Sequence, residues 1–98
     1  MEPTVLSRDE VASITKLALR ELLPKSKVER VEVNREGLTF PADLGIAVIF
    51  AGKGSVHLTG KQLVEIERRI SSDIWKSGDE RFPYLRFMTA QEAKSLVS

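Results

Sequence analysis

The chain contains no cysteine and a single histidine, His57. The first absence rules out disulfides, thiolate metal sites and a cysteine nucleophile, and it fits a reducing compartment. The second rules out a His–His metal pair, and any histidine–carboxylate pair would have to come from residues far apart in sequence. Long hydrophobic runs are missing too. No stretch approaches the roughly 18 apolar residues of a membrane span, and the start, Met1-Glu2-Pro3-Thr4-Val5-Leu6, lacks the basic and apolar regions of a secretory leader. An excess of one charge is missing: 15 Lys and Arg stand against 14 Asp and Glu, and a net charge of +1 makes no global field to attract nucleic acid or anionic lipid, so only a local patch could do so. These absences predict a cytoplasmic protein with no membrane partner.

What is present suffices for folding. A hydrophobic fraction of 42% with 30% charged residues lies outside the composition of disordered chains, and 98 residues make one domain, 1–98.

The strongest local signals are capping boxes, in which a Ser or Thr is followed three residues later by Glu or Gln, so that two unpaired backbone donors are satisfied reciprocally. They stand at Ser7 with Glu10, Thr59 with Gln62, and Thr89 with Glu92. Leu6 with Val11 and Leu58 with Leu63 add the apolar staple across the first two entries. A first helix is expected from Ser7 to Leu23, with Val11, Ile14, Leu17, Ala18 and Leu22 as its inner stripe and Pro24 as its stop. Lys27 to Val33 reads as a strand with Val31 and Val33 inward and Arg30 and Glu32 outward. Asn34 to Leu44 is a polar connection holding Gly37 and Pro41, in which Leu38 and Phe40 could extend a strand.

Gly45 to Ala51 is apolar on both faces, the mark of a central strand. After a turn at 52–55, Thr59 opens a helix whose Leu63, Ile66, Ile70 and Ile74 face the core, with Glu65, Arg68, Arg69 and Lys76 outside and Gly78 as its stop. Phe82 to Met88 alternates Leu85 and Phe87 against Tyr84 and Arg86, a third strand with Pro83 at its start or on an edge. The expected fold class is therefore α/β, of the two-layer α+β kind, in the order α-β-β-α-β-α. Its sheet is three-stranded and mixed, with a hairpin first and a parallel crossover second, and two main helices cover one face. The other face is expected to be partly open, which invites a partner.

Catalytic, cofactor-binding and metal-binding residues are not expected. Gly52-Lys53-Gly54-Ser55 lies between strand and helix like a phosphate cradle, but Ala47 stands where a Walker loop needs its first glycine and Gly54 follows the lysine, so a flexible turn is expected. His57 is read as an ordinary loop histidine. Trp75 lies beside the inner stripe of its helix, either rimming the core or standing exposed with Tyr84 on the open side of the sheet. With Phe82 and Arg86 they form the candidate partner-binding set Trp75, Phe82, Tyr84 and Arg86, because protein interfaces enrich aromatics and arginine.

Asp43, in Ala42-Asp43-Leu44-Gly45, sits at the mouth of the central strand. Together with the order of elements from about residue 7 to residue 88, it resembles the Ser-Asp-x-Asp segment of minimal bacterial nucleotidyltransferases, whose paired aspartates hold Mg²⁺ against a nucleotide's phosphates. Gly45 replaces the second aspartate, no Gly-Ser pair ends the first strand, and Tyr84 and Arg86 occupy the place of a further carboxylate. The resemblance thus implies a degenerate, non-catalytic copy and, with it, an antitoxin-like partner of a small helical RNase. The element order also resembles ribosome-associated KH-like RNA-binding domains, although no Gly-x-x-Gly junction is present. For that alternative the RNA-binding residues would be Lys53, Lys61, Arg68, Arg69 and Lys76, with Glu65, Glu67 and Asp73 interspersed. The leading expectation is a non-catalytic module that binds a protein, either a cognate partner or itself, through the uncovered sheet face or an edge strand. RNA binding is the alternative and a nucleotidyltransferase-like enzyme the second alternative.

Overall fold

The computed structural model describes residues 5–34, 44–52 and 56–95. Its elements follow the expected order: α1 (Arg8–Leu22), β1 (Val28–Val33), β2 (Leu44–Phe50), α2 (Gly60–Lys76), β3 (Pro83–Thr89) and α3 (Ala90–Ser95). Each helix begins at its capping box. Ser7 and Thr59 accept the backbone N–H groups of Glu10 and Gln62, and those side chains accept the cap residues' own N–H groups. Thr89 and Glu92 repeat the exchange before α3. Leu6 is buried beside Val11 in the core, so the first staple is made.

The sheet has the order β1-β2-β3, with β1 antiparallel and β3 parallel to β2. Every residue of β2 is buried, as its two-sided apolar sequence requires. Asn34 closes the end of β1: its N–H donates to the Gly45 carbonyl, and its Oδ1 accepts the Gly45 N–H at 2.7 Å. A φ of 49° at Asn34 is one that asparagine tolerates better than most residues, because its short side chain bonds locally. A register shift between Val28 and Arg30 lets Val28 join Val31 and Val33 on the packed face despite its odd spacing.

Helices α1 and α2 lie on one face of the sheet. Val11, Ala18 and Leu19 of α1 and Ile66, Ile70 and Ile74 of α2 form one cluster with Ile46, Val48 and Leu85. The inner stripe of α1 differs from the expected one. Thr15 and Leu19 are buried, whereas Leu17 is half exposed. The stripe that packs is Val11, Ile14, Thr15, Ala18, Leu19 and Leu22, and burial of Thr15 is tolerated because its hydroxyl donates to the Val11 carbonyl at 2.9 Å.

The second face of the sheet is partly covered: Tyr84 and Arg86 of β3 are exposed on it, as expected, while its centre is closed. Ala47 and Ile49 of β2 are fully buried with Met88 and Ala93, and Ala90 packs against them, so α3 covers this side. Two small residues, Ala90 and Ala93, facing the sheet from so short a helix let it sit close. No helix among the described residues is long and apolar enough to cross a membrane.

Candidate protein-binding groove

The outer surface of α2 is built by the same periodicity that buries its inner one. Ile66, Ile70 and Ile74 point to the sheet, which sends Val64, Arg68, Ser71, Ser72 and Trp75 outward at three- and four-residue spacing. Val64 and Trp75 are large apolar side chains in this outward set, and they are 46% and 53% exposed.

The chain then reverses and brings a second aromatic to the first. Helix α2 ends in a Schellman motif: the Gly78 N–H donates to the Trp75 carbonyl and the Asp79 N–H to the Ile74 carbonyl, with Gly78 at φ 93°. Asp79, one residue past that glycine, is a buried carboxylate. Its oxygens accept the Leu6 N–H at 3.0 Å, the Arg81 N–H at 3.0 Å and the Arg81 guanidinium at 2.7 Å. Arg81 in turn donates to the Leu6 carbonyl at 3.1 Å. The hydrogen bonds from the Arg81 side chain are the main cause that holds the Asp79 carboxyl down at about 2, against the opposing effect of burial. This clamp ties the segment before α1 to the loop after α2.

Held in this way, the loop presents its Arg81 carbonyl to the indole, and Trp75 Nε1 donates its proton to that oxygen at 3.3 Å. Phe82 then packs edge-on against Trp75, with ring centroids 6.1 Å apart and planes at 62°. Phe82 is nevertheless 64% exposed. Together the rings wall one end of an open groove of about 660 Å³ whose floor carries Ser71 and Ser72 and whose rim carries Glu67, Arg68 and Lys76. The groove's lining joins the apolar Val64, Trp75 and Phe82 with charged and hydroxyl side chains.

The candidate partner-binding residues therefore divide. Trp75 and Phe82 meet in the groove. Tyr84 and Arg86 are exposed, but they alternate with Leu85, which packs toward the helical layer, and so lie on the opposite face of the sheet. Of the two places expected for Trp75, the rim of the core or an exposed position with Tyr84, it takes an exposed position on the outer side of α2, where its aromatic neighbour is Phe82 and not Tyr84. Sequence reasoning did not single out Val64, Ser71, Ser72 or Asp79 for this site. The first three carried a signal, an apolar residue and two small ones in register with Trp75 on an otherwise charged helix face.

The candidate basic stripe also divides. Lys61, Arg68 and Lys76 are exposed along α2. Arg69 turns instead to the α1 side, where it binds Glu21 at 2.6 Å and Asp73 at 2.9 Å. These two carboxylates raise its already high pKa, the hydrogen bond with Glu21 most of all. Lys53 and Asp43 lie outside the described residues, as do Gly54 and Ser55 of the turn at 52–55. His57 is exposed and borders a smaller cavity of about 220 Å³ with Lys27 and Thr89. Among the described residues no three His, Asp or Glu side chains come together as metal ligands would. No protein-family model matches the chain, and no curated protein or solved structure matches it.

Proposed function

We propose that this chain is a protein-interaction module whose binding surface is the groove between the outer face of α2 and Phe82. One observation carries the reading: Trp75, Phe82 and Val64 are large apolar side chains left 46% or more exposed, and they converge on one concavity instead of being scattered. Scattered exposed apolar residues are ordinary on any surface, whereas contiguous ones with polar rims are where proteins bind proteins. An exposed tryptophan held by a hydrogen bond and a neighbouring ring loses little freedom on binding, which is the property of an interface anchor.

The nucleotidyltransferase-like resemblance would make the occupant a small helical RNase, a reading supported by element order alone. RNA binding along α2 is the weaker reading of the same helix, because Arg69 faces α1 and Glu65 and Glu67 interrupt the remaining cations.

The test is site-specific photo-cross-linking in cells. A photoreactive residue at position 72, on the groove floor, is expected to give a polypeptide adduct that disappears when Trp75→Ala is added. The same residue at position 16, on the outer side of α1, serves as the control. Trp75→Ala is expected to cost roughly 1–3 kcal/mol, since about half of the side chain is buried and its indole hydrogen bond and ring contact are lost, so circular dichroism of the variant is recorded to show that it is folded. Equal adducts at both positions, or none at position 72, would refute the groove.

A further inference from the structure

We infer that the occupant of the groove is a second copy of the same chain, docked through α2 about a two-fold axis at the level of Ile70. The inference rests on the proposed groove and identifies what fills it. The outer face of α2 is self-complementary in an antiparallel sense. Val64 and Trp75 are eleven residues apart, which is three turns of helix, so they stand on one line along the exposed face, as do Glu65 and Lys76 on the flank beside it. In each pair the two members lie about 8 Å to either side of Ile70, in opposite directions. A two-fold axis perpendicular to α2 at that level therefore exchanges the members of both pairs at once.

The consequences are chemical. Val64 of one copy meets Trp75 of the other at both ends of the contact, and each exposed indole gains an aliphatic partner. Glu65 of one copy meets Lys76 of the other, again twice, so opposite charges face each other where a parallel arrangement would set Glu65 against Glu65. Ser71 and Ser72 occupy the crossing point, where small side chains let the helices approach, and Arg68 stands opposite Ser72, which can accept its hydrogen bond. A closed two-fold contact of this kind uses the same patch on both subunits and leaves no surface to propagate a chain.

Sedimentation equilibrium of the full chain tests this. At about 100 µM the wild type is expected at twice the 11.0 kDa protomer mass. Glu65→Lys and Lys76→Glu are each expected to weaken association at least tenfold, because each places like charges together twice. The two-fold geometry adds a sharper expectation: an equimolar mixture of these two single variants recovers a dimer. In the mixed pair the two introduced side chains, opposite in sign, face each other at one end of the contact, and the unaltered Glu65 and Lys76 face each other at the other. The double variant recovers it as well. A wild-type chain that remains a monomer, or single variants that dimerise as the wild type does, would overturn the second copy as occupant. A cross-link from position 72 to a polypeptide of a different mass would then leave the groove standing with another partner, whereas loss of both results would remove the groove itself.

Discussion

Replacing Asp79 by asparagine tests the clamp that shapes the groove's aromatic wall. The substitution keeps size and one acceptor oxygen but removes the charge that binds the Arg81 guanidinium. The carboxyl is held from an ordinary 3.8 down to about 2 in the folded chain. At roughly 1.4 kcal/mol per pH unit, this is worth about 2 kcal/mol. Asp79 is only 1% exposed, so solvent screening takes little from that figure. For a chain of this size the loss is a fall of roughly 10 °C in Tm at neutral pH.

The sign with pH follows from the direction of the shift. A depressed carboxyl stabilises the folded state fully above its unfolded value and loses that contribution as pH falls through the folded value. The gap between wild type and Asp79→Asn is therefore expected to be widest at pH 7, to narrow below about pH 4, and to be nearly closed at about pH 2. Urea unfolding followed by circular dichroism at a series of pH values measures it, and the single tryptophan reports the groove in the same samples. Its emission should shift in Asp79→Asn, since Trp75 Nε1 binds the Arg81 carbonyl that the clamp positions. Stability curves that stay parallel from pH 7 to pH 2.5, or a neutral-pH gap below about 0.5 kcal/mol, would refute this account.

Two further outcomes follow from the packing. Ile70→Ala, at a fully buried position midway along α2, is expected to cost about 3 kcal/mol by chemical denaturation, from lost burial and the cavity left behind; a cost near zero would place α2 off the sheet. Ala93→Leu adds bulk where α3 rests on Ala47 and Ile49, so thermal unfolding should show a loss of about 1–3 kcal/mol, and an unchanged midpoint would mean that α3 does not cover the second face.

What could be read before folding was whatever neighbouring residues decide among themselves. Each capping box joins groups three residues apart, and Gly78 supplies the left-handed turn that ends α2, so helix starts and that stop were legible. The uninterrupted apolar run of β2 announced its central place. The displacement of Trp75 from the inner stripe of α2 was legible for the same reason, since helical spacing alone sets it.

The remainder depended on partners distant in the chain. Helix α1 offers two overlapping apolar stripes, one through Leu17 and one through Leu19, and only the angle at which it meets the sheet chooses between them. Arg68 and Arg69 are equivalent in sequence, yet Glu21 on another helix takes one of them out of the exposed face. Asp79 looks like any loop carboxylate until folding brings Leu6, 73 positions away, to its oxygen. That contact, with the bond from Arg81 to the Leu6 carbonyl, ties the loop on which Phe82 meets Trp75 to the segment before α1. Local hydrogen bonding and periodicity thus determined the elements, which side of each is apolar and the turn that reverses the chain after α2, whereas the anchoring of that loop to the segment before α1 is a tertiary matter.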